Sequence, residues 1–382
     1  MTEDVRVAVG TRAQLKNERL HSLDGLRAAA ATLVVVHHIA VANSAAALDS
    51  NGHHVIARLA ASLTASGVDL FFVISAIVLA RPFMNGRPMR LRTYAVRRLE
   101  RLFPPYIVSW TLAGVTIALI TAYPTWWTAT AGLPSFSWES WLRQAGIIYS
   151  GPGTYNVAWW SLSIEATFYL LLPLLILLVS RLQTERALYA IFAGSIALAM
   201  TPIEGLADIV QALHLYASCF CAGLVLSKIL PSVRSAVACQ LVGLSTVIAA
   251  AVWPAVNQHV GWGLLYFGLA GIALRQGSWL HGLLSGYIFV WLGERSYSLF
   301  LVHYPIIWSV AHAASFFFSY KSIAYFVVTR VVAISLSLLV TMLLFQFVER
   351  RWARKLATAD DFLPRLQGSR RGGQESSAIT GA

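Results

Sequence analysis

Ten apolar stretches, most of them long enough to cross a bilayer, constrain this chain more than any other feature. They run at approximately 26–46, 64–82, 104–122, 159–180, 186–202, 207–228, 235–254, 259–275, 296–318 and 323–347. A hydrocarbon core of about 30 Å takes about 20 apolar residues of helix, so the fifth and eighth are short, and 282–293 could add a re-entrant piece. Composition excludes a soluble alternative. The 382 residues are 57% hydrophobic and only 12% charged, whereas a soluble domain is about 25% charged. The polar residues are too few to cover a globule of this length. The expected fold class is all-α, a polytopic transmembrane helix bundle of about ten spans. No repeat of spans stands out, which weighs against a duplicated transporter architecture.

Basic residues orient the bundle, because Lys and Arg concentrate on the cytoplasmic side. Arg6, Arg12, Lys16, Arg19 and Arg27 lead into the first stretch, and seven arginines from Arg81 to Arg101 link the second and third. Of the 29 Lys and Arg residues, Arg58, Arg143 and Lys321 fall on the opposite side and Arg330 within the last stretch; the rest share one side. Both termini are therefore expected in the cytoplasm. The net charge of +12 follows from this topology and from contact with anionic lipid, not from nucleic-acid binding. Residues 1–20 form a cytoplasmic segment, 21–350 the membrane domain, and 351–382 a basic, disordered cytoplasmic tail.

Several features carry a plain reading. The run Ser44–Ala47 superficially resembles a cleavage site, but His37 and His38 would interrupt the apolar core of a signal peptide, so the first stretch is expected to be retained. Cys219, Cys221 and Cys239 cannot form an even disulfide framework. The Cys219–Cys221 pair has no His or carboxylate beside it in sequence and reads as packing, with no metal expected. Trp126, Trp127, Trp138 and Trp141 fall in the longest outward loop, as an interfacial belt or as platforms for sugar stacking.

Ionisable residues inside an apolar stretch are costly, which makes each a functional candidate. The first stretch holds Leu23-Asp24-Gly25-Leu26-Arg27 and then His37-His38. At 3.6 residues per turn, Arg27 and His38 share one helical face about 16 Å apart, while His37 points about 80° away. His37 is accordingly an internal control for His38. Before the third stretch, Arg98 and Arg101 project from one helical face at i and i+3. That pair suits either anionic lipid at the interface or a phosphate-bearing ligand, since guanidinium offers a planar fork of donors. Asp69, Glu165 and His303 are scattered through other stretches. They are candidates to line a polar cavity with His38, or to make hydrogen bonds between helices.

These segments resemble the acyltransferase-3 family of bacterial membrane O-acyltransferases. The resemblance rests on Leu23-Asp24-Gly25-Leu26-Arg27-Ala28 with His38, on Gly67-Val68-Asp69-Leu70-Phe71-Phe72-Val73-Ile74-Ser75, and on Arg98-x-x-Arg101 leading to Pro104-Pro105-Tyr106. It continues with Trp160-Ser161-Leu162-Ser163-Ile164-Glu165 before Phe168-Tyr169, and with Ser296-Tyr297-Ser298-Leu299-Phe300-Leu301-Val302-His303-Tyr304-Pro305. It covers about residues 20–350 and implies ten spans. Two departures stand out. Ala76 replaces the family's frequent glycine, which bears on close helix contact there, and Glu349 is followed by Arg350-Arg351 instead of a Glu-x-Pro pattern, leaving Glu349 without a role.

The resemblance implies acyl transfer, most often of acetyl, from cytoplasmic acyl-CoA to a hydroxyl of a surface polysaccharide, lipid-linked glycan or oligosaccharide. Acylation of a small natural product such as a macrolide is the alternative within the family. His38 is then the expected base or acyl carrier, and Arg27, Arg98 and Arg101 the donor-binding residues. Asp69, Glu165 and His303 become cavity or acceptor-side candidates. Acyl-CoA acts as co-substrate with no permanently bound cofactor, and the expected location is the bacterial cytoplasmic membrane. Some relatives carry an extra-cytoplasmic esterase-like domain; the tail here is short for one, so the chemistry is expected within the membrane domain. A transporter or flippase for a lipid-linked glycan would use the same charges to line a pathway, without consuming acyl-CoA.

Overall fold

A computed structural model of the chain describes residues 21–41, 54–84, 86, 88–147, 153–182, 184–201, 203, 208–319 and 322–352. The expectations placed on 1–20, Ser44–Ala47, Lys321 and the tail beyond 352 lie outside these residues. Every regular element among the described residues is helical. Helix α1 is helical over 21–36 and closes in a π turn, His37–Val41. It is followed by α2 (His54–Ala65), α3 (Gly67–Met84), α4 (Leu91–Ala122), the short α5 (Trp126–Ala131) and α6 (Trp138–Arg143), and α7 (Trp159–Ser180). Then come α8 (Glu185–Met200), α9 (Asp208–Leu215), α10 (Ala217–Leu226), α11 (Val233–Val252) and α12 (Gln258–Ala273). The short α13 (Trp279–Leu284) and α14 (Tyr287–Glu294) lead to α15 (Ser296–Ser315) and α16 (Ile323–Leu344), which continues through a second π turn, Phe345–Glu349.

Five helical stretches are long and apolar enough to cross a membrane: His54–Met84, Leu91–Ala122, Trp159–Ser180, Val233–Val252 and Ile323–Trp352. The α9–α10 pair, bent by 52°, makes a sixth if it is one broken span. These match six of the ten expected stretches. The other four fall short for identifiable reasons. Helices α8 and α12 have 16 residues each, and α1 reaches the edge of the described residues. Helix α15 has 20 residues, but His303, His312 and its serines lower its apolarity. Most of α15 is covered by other helices, and a helix that faces protein instead of lipid tolerates such side chains. The expected re-entrant region is occupied by α13 and α14.

Helix α16 is inside-out by the standard of a soluble protein. Thr329, Ala333, Ser337 and Thr341, one per turn, are buried, while Phe326, Val331, Ile334 and Leu343 are exposed. Small and polar residues facing neighbouring helices, with large apolar ones facing out, is the pattern for a helix whose solvent is lipid. The molecule is thus a multi-pass membrane protein.

Two apolar cores form the interior. One gathers α1, α3, α7, α10 and α12 around Phe72, Phe168, Phe220 and Phe267. The other joins α4, α7 and α15 around Tyr106, Ile117, Trp159 and Leu301. Val68, Phe71 and Tyr169 pack against both, so polar groups at this seam sit between the two cores. Close helix contact at Ala76 is kept from the other side. A Cβ on Gly223 of α10 would meet Ala76 Cβ at 2.6 Å and the Val73 backbone, so the residue that must lack a side chain here is Gly223. Gly25 likewise lies against the carbonyl of Leu284 in α13, which fixes where Asp24 and Arg27 project.

Candidate functional site

At the seam lies a cavity of ≈ 80 Å³ that draws Arg27 from α1, Arg98 and Arg101 from α4, and Glu165 from α7. Phe71 and Phe300 supply apolar wall, with their rings 5.9 Å apart. Arg27 reaches the cavity already paired, donating from Nη1 to Asp24 Oδ1 at 2.6 Å. Arg98 and Arg101 have no carboxylate partner among the described residues, and Arg98 Nε is buried without a hydrogen bond. The cavity carboxylate is occupied elsewhere. Glu165 Oε1 accepts from Ser75 Oγ and from Tyr169 Oη, both at 2.5 Å. Hydroxyls therefore hold the one carboxylate, and guanidinium charge remains uncompensated in a partly apolar space, where it attracts an anion more strongly than in water.

Helix α4 explains the placement of the arginine pair. Its 32 residues span about 48 Å, well beyond a hydrocarbon core of about 30 Å. The first turns carry Arg92, Arg97, Arg98 and Arg101, and Pro104–Pro105 mark the passage into apolar sequence. Tyr297 Oη on α15 donates to the Leu102 carbonyl at 3.0 Å, pinning the helices together beside the arginines.

Further along α1, His38 meets His303 of α15. His303 is fully buried, and its Nδ1 lies 3.1 Å from the Leu299 carbonyl. A carbonyl only accepts, so Nδ1 carries the proton and Nε2 is an acceptor. That Nε2 is 3.2 Å from His38 Nδ1, which also lies 2.9 Å from the Val34 carbonyl. His38 therefore holds its proton on Nδ1 and presents an unprotonated Nε2. The Tyr304 ring stands edge-on to His38 at 4.8 Å, and Phe300, a wall of the arginine cavity, lies 6.0 Å from His303. His37 turns to a different helix, with Nδ1 2.9 Å from Thr64 Oγ1 on α2.

The seven expected site residues thus divide into three places. Arg27, Arg98, Arg101 and Glu165 line one cavity. His38 and His303 form a pair. Asp69 is separate: buried in α3, it accepts from His259 Nδ1 at 2.8 Å, with Cys219 Sγ at 3.5 Å. Cys219 thus has in space the His and carboxylate neighbours it lacks in sequence, yet no three such residues among those described are placed to hold a metal. Sequence reasoning passed over His259, although it opens the expected stretch 259–275 and meets the same criterion as the others. It also left Glu349 unassigned; Glu349 Oε2 accepts from Ser298 Oγ at 2.7 Å. The loop tryptophans are largely used within the protein: Trp141 stacks on Trp110 at 4.0 Å, and Trp126 Nε1 donates to the Phe318 carbonyl.

A polytopic helical protein with an arginine-lined cavity at one end of α1 and a histidine pair further along it is thereby defined. Residues 20–342 match the family model described as an acyltransferase domain, and the chain belongs to this acyltransferase-3 family. Among curated proteins it is similar to a putative O-acetyltransferase of Staphylococcus aureus (strain COL), 23% identical over 91% of this chain and 60% of that protein. It is also similar to the acyltransferase MdmB of Streptomyces mycarofaciens, 32% identical over 44% of this chain and 42% of that protein. The peptidoglycan O-acetyltransferase OatA of Listeria monocytogenes is 24% identical over 75% of this chain and 49% of its own length. The chain spans about 60% of the length of the first of these relatives. No solved structure matches it significantly.

Proposed function

We propose that this protein is a membrane O-acyltransferase that moves an acetyl group from cytoplasmic acetyl-CoA to a hydroxyl of a carbohydrate acceptor. The relative from Listeria is named for peptidoglycan, and the acceptor here is a wall or surface glycan. The ten-span topology with both termini in the cytoplasm belongs to the same proposal, and it puts the arginine cavity on the side where acyl-CoA is available. The observation that carries the reading is that Arg27, Arg98 and Arg101 line one cavity and that Arg98 and Arg101 have no carboxylate partner among the described residues. Guanidinium charge in a partly apolar space calls for a counter-charge, and the phosphates of the donor supply it.

His38 performs the proton transfer. With Nδ1–H held by Val34 and His303, its Nε2 accepts the proton of the acceptor hydroxyl as that oxygen attacks the thioester carbonyl. The new C–O bond forms, the C–S bond breaks, and the proton passes from Nε2 to the departing thiolate, giving an ester and free CoA. His303 acts by holding the tautomer. The test is transfer of labelled acetyl from acetyl-CoA in membranes containing the wild type or His38→Ala at equal abundance. Transfer by the wild type and loss in the variant are expected. Undiminished transfer by His38→Ala overturns the mechanism, and consumption of no acetyl-CoA by the wild type overturns the function.

A further inference from the structure

A second cavity lies at the other end of α1. It is far larger, ≈ 980 Å³, and is bounded by the π turn of α1, by α2, and by the ends of α8, α9, α11 and α12. Its polar lining differs in kind from the arginine cavity. Among the described residues His37, Gln211, His214 and His259 face it, with Arg58 as the one guanidinium, and Asn257 at the start of α12. Arg58 is engaged with the Ala251 carbonyl at 3.3 Å. Asn257 is a brace, bonding the Ala199 and Leu215 carbonyls and the His259 amide.

Two of the imidazoles are prepared as acceptors. Asp69, 2% exposed, takes the proton-bearing Nδ1 of His259 at 2.8 Å, and the Tyr216 ring lies tilted against the His259 ring, with centroids 4.1 Å apart. In the neutral ring, with Nδ1–H committed to the carboxylate, Nε2 of His259 is the acceptor. His214 reaches the same condition by the opposite tautomer. Its Nε2 lies 2.5 Å from the Leu198 carbonyl and therefore carries the proton, while its Nδ1 is buried with no partner. His214 is 8% exposed and lines the cavity, with this orphaned acceptor buried in the wall behind it. Buried acceptors of this kind are normally satisfied.

We propose that this cavity is the acceptor site, and that His259 Nε2 receives a hydrogen bond from a hydroxyl of a polyol such as a glycan. Neutral acceptors spaced around a wide cavity suit a neutral, hydroxyl-rich ligand, as the guanidiniums of the other cavity suit an anion. The acceptor enters past His37, whose ring centroid is 5.3 Å from that of His38, so its reacting hydroxyl approaches the proposed base from the side opposite the donor. Asp69 is then a positioning residue that sets the His259 tautomer. This assignment rests on the acyl-transfer function proposed above and adds the acceptor's location and the chemistry of its recognition.

The test uses the full chain in membranes that hold its endogenous acceptor, with labelled acetyl-CoA as the probe. Two quantities are read: label transferred to acceptor, and the thermal shift of the purified protein with acetyl-CoA. His259→Phe is expected to cut transfer by at least about tenfold, the equivalent of one buried hydrogen bond, while the acetyl-CoA shift is kept. In a second variant, Ala255→Cys at the cavity wall, a bulky membrane-impermeant maleimide applied to intact spheroplasts is expected to reduce transfer relative to the unmodified variant. Wild-type protein with the same reagent is the control. Wild-type transfer rates in His259→Phe, joint loss of transfer and acetyl-CoA shift, or unchanged transfer after verified modification of Ala255→Cys would each overturn the acceptor assignment. Wild-type membranes that bind acetyl-CoA but transfer no label instead overturn the underlying function.

Discussion

The cavity beside Arg27 and the cavity beside His37 are reached from one helix, yet they are made of different side chains. The first is narrow, walled by aromatic rings, and holds three guanidiniums against one carboxylate. The second is wide and, among the described residues, lined by imidazole, amide and small side chains, with one guanidinium bonded to a backbone carbonyl. A charge kept away from water is tolerated only where something of opposite sign comes to it. Neutral acceptors cost less to expose and discriminate by geometry. The contrast matches a reaction between a charged donor and an uncharged acceptor, with the His38–His303 pair between the two chambers.

The largest test of this contrast is all-or-none. The chambers must open to opposite compartments, so enzyme reporters fused after residue 135 and after residue 365 are expected to report opposite sides of the membrane. The same compartment for both would break the inward–outward assignment outright. Next in size is His38→Ala, for which a loss of about 10²–10⁴-fold in acetyl transfer is expected, the usual worth of general-base catalysis. His303→Ala should lose less and should lower kcat without raising either KM, because it orients His38 and touches neither substrate.

Arg98→Ala or Arg101→Ala should raise the donor KM by roughly 10- to 150-fold, the value of a hydrogen bond to a charged group. The acceptor KM should not move. Lysine should rescue poorly, because it cannot supply the planar fork. An acceptor KM that rises with the donor KM would mean that the chambers are not separate. His37→Ala is expected to do the reverse on a smaller scale. Its imidazole lines the wide cavity, so the acceptor KM should rise about two- to tenfold, within the net value of a neutral hydrogen bond, with kcat and donor KM retained. The residue that sequence spacing marks as a neutral control for His38 therefore becomes a probe of the second chamber.

Much of this was legible in sequence for one reason: ionisable residues in apolar surroundings stand out. Arg27, His38, Arg98, Arg101, Asp69, Glu165 and His303 were all visible on that ground. Their grouping was not. Periodicity tells which face of a helix a residue occupies, but not which helix lies opposite, and Asp69, Glu165 and His303 fall in three environments because α3, α7 and α15 have different neighbours. His259 escaped notice because a histidine at the start of an apolar stretch passes for an interfacial residue; only its approach to Asp69, 190 positions away, reveals it. The span count was blurred by the same physics. Helix α15 is screened from lipid by its neighbours and carries polar residues that a lipid-facing helix such as α16 keeps on its buried side.

The smallest expected effect concerns why the one carboxylate of the narrow cavity leaves the arginines alone. Glu165 Oε1 accepts from Ser75 and Tyr169 at once, and together these hydroxyls tether it. In Ser75→Ala the Tyr169 hydroxyl still donates, so the fold and the carboxylate's charge persist, but the tether is half gone. The freed carboxylate can then turn toward Arg98 or Arg101 and compete with the donor's phosphates. The donor KM should rise roughly three- to tenfold, a fraction of the full value of a hydrogen bond to a charged group, with kcat and acceptor KM unchanged. Because the competition is between charges at a cavity whose Arg101 end is exposed, the increase should shrink as ionic strength rises and screening weakens it. Measuring donor KM for wild type and Ser75→Ala at low and high salt reads both effects. If the two proteins have the same donor KM at low salt, the hydroxyls are packing rather than tethering, and the guanidiniums are free for another reason. If the variant loses kcat instead, Glu165 takes part in the transfer itself, and the separation between a charged binding chamber and a histidine-centred reaction would have to be redrawn.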